Sequence, residues 1–447
     1  MKKLAVILIL STFFACLGAQ EISESPSSEA ASETIETNPA SESKEAALDQ
    51  NLIVSKINFI GLKRTKNSHV QSKVRKFIGE PLSEIDMHDF ETSVQLIGLF
   101  DDIHYSTEQI SDTEAQINVS VKEKITFIPM PFIMYSTSIG FMAGGVVFDA
   151  NAFGKQYMFM GGAFFSSTSK SGIVAFQKPS PRKGVPGIST FANFAMTTPK
   201  VVNAENDVVL RYEGITFGAG ISLSEHFLDF FTFKNGYTFR HFGAEDHDDY
   251  KGQSPEGYNY GSISLAFEYS KPDWNGIFMS SSSASISAVF ALTDSENSDY
   301  RFPMTFAATT GGEYPVFSPK FRLYRKFSAS YGINNPIQSY GDRDAGAVTI
   351  LPSNFITERI VGGNVGFEYA LAKFSWGLIS FYSDYQLVYA KDFKSVSEKG
   401  DYEFMHGPNG GLRVYLAKIA FPAVAAGLSY NVTKNYWQFA ASVGMSF

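Results

Sequence analysis

The chain of 447 residues has little of three features on which many protein classes depend. Its single cysteine, Cys16, excludes a disulfide scaffold, an iron–sulfur cluster and a cysteine-based zinc site. Only 18% of the residues are charged and the net charge is −8, so we expect no nucleic-acid partner. No run of about 18 apolar residues occurs, which excludes helices that span a membrane.

Signatures of catalysis are also missing. The sequence has no Gly-x-Ser-x-Gly elbow, no His-Glu-x-x-His pair and no phosphate-binding lysine motif. Segment 241–249, rich in Asp, Glu and His, could bind a divalent cation, but its spacing matches no defined ligand loop, which favours a solvated loop. Gly218-Ala219-Gly220 lies within a predicted strand and is not a phosphate loop. We therefore predict no enzyme activity, no metal and no cofactor.

Aromatic residues are abundant instead. The chain contains 41 Phe and 22 Tyr, and hydrophobic residues make up 44% of it. The mean hydropathy of −0.07 argues against a protein built from many membrane helices. A composition rich in aromatic and poor in charged side chains is unusual for a cytosolic enzyme.

The N-terminus has the anatomy of a secretion signal. Two lysines precede an apolar run over residues 4–14, which is too short to span a bilayer, and small residues follow it. We predict a signal peptide over residues 1–19. The alternative is a lipoprotein signal with Cys16 as the lipidated residue, for which Phe13 is a poor fit.

Residues 20–50 have the composition of a disordered linker. They contain eight acidic residues, one lysine and no aromatic residue, and Ser and Ala make up most of the rest. Such a segment cannot bury enough apolar surface to offset its ordering entropy.

A small α/β domain is predicted over residues 51–124. The pattern gives the order strand, helix, helix, strand, strand. Asn67 and Ser83 are placed to begin the two helices. In the last strand Ile117, Val119 and Val121 share one face.

Four short motifs in this segment resemble those of a known family. They are Ile57-x-Phe59-x-Gly61, Gly79-x-Pro81-Leu82-Ser83, Gly98-Leu99-Phe100 and Val119-x-Val121-x-Glu123. In this order they resemble a POTRA domain, the periplasmic module of the BamA/TamA superfamily of outer-membrane assembly proteins. The resemblance implies that the domain adds a client strand to an exposed sheet edge through backbone hydrogen bonds. A generic α/β domain is the alternative.

From residue 125 to residue 447 the hydrophobic period is two. In the last segment Trp437, Phe439 and Phe447 lie on one apolar face, while the other face is small and polar. A strand between lipid and a wet lumen requires this alternation, and closure into a barrel leaves no free sheet edge in hydrocarbon. The terminal Phe447 resembles the C-terminal signal of outer-membrane barrels. A soluble two-sheet protein would explain the alternation but not this signal together with the secretion segment.

The sequence predicts sixteen antiparallel transmembrane strands. Their spans are 127–136, 138–149, 154–166, 171–178, 187–197, 207–223, 227–241, 258–270, 276–292, 301–316, 320–332, 364–372, 376–390, 410–419, 422–431 and 435–447. Connections mostly alternate between short and long, as in such barrels. The fold class is therefore mainly β, a sixteen-stranded barrel with one N-terminal α/β POTRA domain.

The resemblance extends into the barrel. Asn151-Ala152-Phe153-Gly154 is similar to the family's first periplasmic turn, and Gly362-Gly363 is similar to the glycine pair that closes its sixth outer loop, here 333–363. The family carries an Arg-Gly-Phe/Tyr motif in that loop. This chain has no Arg-Gly pair, and the nearest remnant is Val365-Gly366-Phe367.

The resemblance also implies an aspartate on the thirteenth strand, which Asp384 matches. A lone lumen carboxylate favours a cation nearby, and Arg413 on the next strand is the first candidate, with Arg359 as the second. A solvated aspartate without a special role is the alternative.

These features together predict a bacterial outer-membrane protein with its POTRA domain in the periplasm. The implied function is assembly or translocation of other proteins, with clients captured at the POTRA edge and passed to the seam between the first and last strands. Expected partners are outer-membrane lipid, unfolded outer-membrane or secreted clients and periplasmic accessory proteins. Gly444 would weaken the last strand at that seam. The alternative is a channel or structural surface barrel.

Overall fold

The computed structural model describes residues 52–136, 140–180, 184–250, 254–274, 277–395, 398–416 and 424–443. The predicted signal peptide with Cys16, the linker, Gly444 and Phe447 lie outside the described residues. In the described part of the chain, no helix is long and apolar enough to cross a membrane.

The N-terminal α/β domain has the element order that the sequence predicts. Its elements are β1 Ile53–Ile60, α1 Asn67–Val74, α2 Met87–Gln95, β2 Phe100–Gln109 and β3 Glu114–Glu123. Helix α2 begins later than expected, because Asp86 rather than Ser83 caps it and accepts hydrogen bonds from the amides of residues 88 and 89. Asn67 is the first helical residue of α1 and not its cap.

The three strands form a mixed sheet in the order β1-β3-β2. Strand β3 pairs with β1 in parallel and with β2 in antiparallel orientation. Its buried face carries Ile117, Val119 and Val121, as predicted, and these pack on Phe90 and Val70 of the two helices. The outer edge of β1 bonds to residues 79–82. Strand β2 is therefore the open edge of this sheet within the described residues.

The remainder of the described chain forms a closed antiparallel barrel. In chain order the strands are β4 Phe127–Ser136, β5 Gly140–Ala152, β6 Tyr157–Ser166, β7 Ser169–Lys178, β8 Gly187–Thr197, β9 Lys200–Val202, β10 Val208–Leu228, β11 Phe231–Asp246, β12 Tyr258–Trp274, β13 Met279–Thr293, β14 Met304–Val316, β15 Ser318–Ile333, β16 Gly341–Asp342, β17 Ile356–Thr357, β18 Arg359–Phe374, β19 Gly377–Phe393, β20 Lys399–Leu416, β21 Val424–Asn431 and β22 Tyr436–Val443. Sixteen long strands form the wall, with the short β9 paired beside β8 on β10, while β16 and β17 pair with each other.

The sixteen predicted strands are all present, and the largest error concerns their length. The sequence places a loop over 391–409, but β20 begins at residue 399 and continues the ladder with β19 as far as the pair Phe393–Lys399. Glycine, proline and charge in this stretch indicate a loop. Pairing with β19 overrides that local preference, and Pro408 is accommodated opposite Tyr385.

The barrel wall has an apolar outer face and a polar inner face. On β19 the outward Tyr385, Leu387 and Tyr389 are exposed, while the inward Asp384 and Gln386 are buried. This alternation is what a wall between hydrocarbon and a polar lumen requires. We call the barrel end that carries the α/β domain the domain end, and the opposite end the loop end.

The wall closes between β22 and β4. The described residues record two residue pairs there, Ala440–Ser136 and Ala441–Tyr135. Between β12 and β13 they record fifteen. In the described part of the chain, this seam is thus the most weakly paired joint of the wall.

Candidate functional site: the lumen and its two ends

A buried carboxylate, Glu368 on β18, forms the centre of a charged network in the lumen. Arg322 on β15 donates to Glu368 Oε2 at 2.6 Å, and Arg413 on β20 donates to the same oxygen at 2.8 Å. Tyr415 donates to Oε1 at 2.9 Å. Arg322 also pairs with Glu313 on β14. Glu368 is fully buried, so these contacts satisfy a carboxylate that water does not reach.

Asp384 lies in the same lumen but is stabilised by neutral donors. The Tyr324 hydroxyl donates to it at 2.8 Å, the Gln386 amide at 2.7 Å and the Asn409 amide at 2.8 Å. The ion pair that the structure gives Arg413 is with Glu368 rather than with Asp384. The register explains the difference, because Asp384 pairs with Gly366 of β18, two residues before Glu368 and on the same inner face.

Arg359, the second cation considered for Asp384, lies elsewhere. Its guanidinium stacks at 4.4 Å on the ring of Tyr331 and donates to the Tyr402 hydroxyl at 3.2 Å. Tyr331 and Tyr402 are exposed on the outer face near the loop end. Arg359 is therefore part of an aromatic belt outside the lumen and is not a partner of Asp384.

Sequence reasoning missed Glu368 and Arg322. A signal existed, because each occupies an inward position within a predicted strand whose outward positions are apolar. What the sequence did not contain was the register of β15, β18 and β20, which brings the three charges together.

The long connection between β15 and β18 folds into the barrel at the loop end. Its residues Ile350, Leu351 and Phe355 are fully buried and pack with Val388 and Met405 of the wall. Burying these three large side chains contributes roughly 5–9 kcal/mol before ordering costs. The connection is thus a packed part of the barrel interior.

Backbone groups of this connection are held by polar side chains of the wall. The Gln386 side-chain oxygen accepts from the amides of Thr349 and Ile350 at 2.6 and 3.1 Å. Ser429 donates to the Thr349 carbonyl at 2.9 Å, and Asn364 donates to the Ala347 carbonyl at 2.8 Å. Neutral hydrogen bonds therefore hold the loop in a chain that has no Arg-Gly motif.

The five residues proposed as a loop-motif remnant all lie in the wall strand β18. They are Gly362, Gly363, Val365, Gly366 and Phe367. Gly362 has a role there, because a Cβ at this position would lie 2.6 Å from the Gly346 carbonyl oxygen of the inserted connection. The glycine pair therefore does not close the loop but allows the loop to pass against the wall.

The C-terminal residues Trp437 and Phe439 lie on β22 with their side chains exposed. The Trp437 ring packs at 4.6 Å on that of Tyr430 on β21. Their position agrees with an outward apolar face, while their role as an assembly signal stays a prediction.

At the domain end, the α/β domain is joined to the turn between β5 and β6. Arg64 pairs with Asp149 at 2.6 Å, and the Lys66 amide donates to the Gly154 carbonyl at 2.8 Å. Gly154 has a positive φ of 69°, and a Cβ there would overlap the Arg64 carbonyl oxygen. The turn Asn151-Ala152-Phe153-Gly154, which resembles the family's first periplasmic turn, therefore serves as the attachment point of the domain.

A second group of contacts fixes the segment around Thr65. Glu123 accepts from the amides of Arg64 and Thr65 at 2.9 and 2.8 Å. Burial raises the pKa of the Glu123 carboxyl, but these hydrogen bonds outweigh burial and hold the pKa below its usual value. The Gln156 amide donates to the Ile97 carbonyl at 2.6 Å. The junction thus consists mainly of polar and backbone contacts.

Between the two ends lies a cavity of about 1120 Å³. Its lining includes Leu96, Phe100 and Lys124 of the α/β domain, lumen residues of the wall, and Thr349 of the inserted connection. The domain, the wall and the loop therefore enclose one common space. Such a space is large enough for water or for a segment of another chain.

An acidic cluster lies outside this cavity. Carboxylate oxygens of Glu205, Asp392 and Glu403 approach one another closely. Lys434 forms ion pairs with Glu205 and Glu403, so an ammonium group already compensates these charges.

The comparisons with known proteins identify the fold. No family model matches the chain, and no curated protein matches it. Among solved structures, BamA from Haemophilus ducreyi lacking POTRA domains 1–3 is similar with a TM-score of 0.50 and 13% identity, covering 89% of this chain and 85% of that one. CdiB from Escherichia coli gives a TM-score of 0.59 and 10% identity over 89% and 77% of the two chains. CdiB from Acinetobacter baumannii gives 0.56 and 11% over 89% and 74%.

This protein is thus a mainly β chain whose barrel has the fold of BamA and CdiB. The prediction of the barrel is confirmed. At these identities the similarity shows the fold alone. The POTRA assignment of the N-terminal domain stays a prediction.

Proposed function

We propose that this protein assembles or translocates other proteins at a bacterial outer membrane, with its N-terminal domain, as a POTRA domain, in the periplasm. The observation that carries the proposal is the seam between β22 and β4, where the described residues pair at two positions. A client strand can add to a wall whose own strands part at this seam, because the released backbone groups can pair with the added strand.

The open edge of β2 supports client capture. Its unpaired backbone groups form a template for an added strand, and this mode tolerates many client sequences. Hydrogen exchange on the full chain tests this step. An unfolded client should slow exchange of the β2 amides while leaving β1 unchanged, since residues 79–82 already bond to the outer edge of β1. Equal effects on both strands would contradict capture at β2.

Locking the seam tests passage of the client through the wall. In a Cys16→Ser background, Tyr135→Cys and Ala441→Cys place thiols at paired positions, where a disulfide can form. The locked protein in liposomes should lose its acceleration of the folding of a small client barrel, and reduction should restore it. The control lock joins Ala266→Cys and Ser287→Cys on β12 and β13 and should leave the rate unchanged.

Two outcomes would count against the proposal. If the unlocked protein folds correctly but does not accelerate the client over empty liposomes, it is not an assembly factor. If the seam lock leaves the acceleration intact, clients do not pass through this seam.

A channel is the second candidate function, and the cavity of about 1120 Å³ favours it. It predicts a steady ion conductance of the unmodified protein in a planar bilayer, without any client. In that role the N-terminal domain would serve as a docking module for periplasmic accessory proteins.

A further inference from the structure

Another arginine besides Arg359 lies on the outer face of the wall, away from the lumen. Arg325 on β15 pairs with Gly312 of β14 and Val365 of β18. Leu323 and Phe327, two residues before and after it, are exposed on the same face. The intervening Tyr324 points inward, where it donates to the lumen carboxylate Asp384. Because strand side chains alternate, the guanidinium of Arg325 faces outward.

The height of Arg325 in the wall is unusual for a charge. It is the eighth of the sixteen residues of β15. The outward aromatic residues Phe321 and Tyr331 lie on either side of it along the strand. In the described part of the chain, no ion pair or hydrogen bond involves its side chain. A cation at this depth on an outer wall is most disfavoured in a bilayer, so its presence indicates a functional contact.

The register connects Arg325 to a second cation at the domain end. Lys271 of β12 pairs with Ser282 of β13, Ser282 with Gly312 of β14, and Gly312 with Arg325. These residues form one continuous row on the outer face. Neighbouring strands are about 4.8 Å apart, so the row places Lys271 and Arg325 about 14 Å apart.

Between the two cations the row offers hydroxyl groups and space. The Tyr314 side chain folds back over Gly312, and its hydroxyl lies 3.2 Å from that of Ser282. Both hydroxyls are on the outward side and can donate to an anion. We name Lys271, Ser282, Tyr314 and Arg325 the polar row.

We propose that the polar row binds the phosphate headgroup of an anionic phospholipid from the leaflet at the domain end, and draws it along the wall toward Arg325. Two cations flanking hydroxyl donors match the charge and the acceptors of such a headgroup. A lipid held there compensates the charge of Arg325 on the outer wall. The inference rests on the proposed membrane location and not on assembly activity.

The test uses the full chain released from detergent with defined lipids and measured by native mass spectrometry. With phosphatidylglycerol the unmodified protein should retain one lipid with clear preference over phosphatidylcholine. Arg325→Leu should raise the Kd of that lipid by about tenfold, the size expected for a lost charge-assisted contact. Lys271→Leu should raise the Kd by a smaller factor, and Arg325→Lys should retain most of the affinity for phosphatidylglycerol.

The matched control is Lys170→Leu. Lys170 on β7 pairs with Phe165 and Met196, which are exposed on the outer face, so it is an outward cation at the loop end. Its removal should leave the Kd unchanged. Millimolar inorganic phosphate should not displace the lipid; displacement would indicate a site for free phosphate rather than for a headgroup.

Equal retention of phosphatidylglycerol and phosphatidylcholine would overturn the proposal. An unchanged Kd in both Arg325→Leu and Lys271→Leu would do the same. If Arg325→Leu does not fold, Lys271→Leu and Arg325→Lys still decide the outcome. Because no client is present, loss of lipid binding and loss of assembly activity are measured separately.

Discussion

The two ends of the lumen are occupied in different ways. At the loop end, a connection of the chain buries Ile350, Leu351 and Phe355 completely and bonds to the wall through Gln386. At the domain end, the α/β domain is attached to one turn by Arg64, Gly154 and a few other polar contacts. Apolar burial on this scale is hard to reverse, whereas polar contacts exchange readily with water. The difference predicts that the domain end separates more readily than the loop end.

Removing Glu368 should have the largest effect on stability, because the wall between the two ends depends on it. Glu368→Ala leaves Arg322 and Arg413 without their common carboxylate and should cost about 3–5 kcal/mol. Urea unfolding in lipid or detergent measures this loss in the free energy of unfolding. The control Glu268→Ala removes a partly exposed lumen pair with Lys234 and should cost less than about 1 kcal/mol. Equal losses would show that the Glu368 network does not stabilise the wall.

Gln386→Leu should open the lumen at the loop end. It removes the acceptor of two loop amides, each of which costs about 1–3 kcal/mol when left buried and unpaired. We expect a conductance in planar bilayers well above that of the unmodified protein. Gln338→Leu, which removes a half-buried amide of the same connection that donates to the Glu256 carbonyl at 3.4 Å, should have no such effect. If the conductance of Gln386→Leu does not rise, apolar packing alone holds the inserted connection in the barrel.

Gly154→Ala should weaken the attachment of the α/β domain at the domain end. The positive φ and the overlap with the Arg64 carbonyl together should cost about 1–3 kcal/mol, so residues 64–66 should become sensitive to proteolysis. Gly184→Ala shares a positive φ of 74° but meets nothing within 4 Å, and should cost only about 1 kcal/mol. If both variants behave alike, the turn is not the attachment point.

The smallest effect concerns pH. The pKa of Glu123 is held below its usual value of 4.5, so the stability it contributes is present above that value. It is lost as the pH falls through the lowered pKa, because protonation removes the charge that the amides of residues 64 and 65 stabilise. Hydrogen exchange at these amides should accelerate on acidification, and Glu123→Gln should flatten that dependence. If the exchange rate of these amides still depends on pH in Glu123→Gln, another titratable group causes the dependence.

Much of the fold could be predicted because it rests on local patterns. Period two along strands such as β4 and β8 gave their bounds without error, and the motifs around Gly61 and Gly98 gave the element order of the α/β domain. Residues 399–409 were missed as a strand because their pairing with β19 is a non-local interaction.

The candidate site was less accessible to prediction. Asp384 and Arg413 were placed correctly on neighbouring strands, yet Glu368 forms the ion pair. Choosing between two inward carboxylates two residues apart requires the register, and a single sequence does not contain it. In the sequence, the inserted connection is only a long gap between two predicted strands. Its position in the barrel depends on hydrogen bonds from Gln386 and Ser429, which lie on strands far along the chain.

The sequence by itself determined that the chain forms a closed wall with an apolar outer face, since alternation and strand length are properties of neighbouring residues. The tertiary structure decided which charges meet, how the loop enters the barrel, where the domain attaches, and that Lys271 and Arg325 share one row. These outcomes depend on the register between strands, which many distant contacts fix together and no local pattern records.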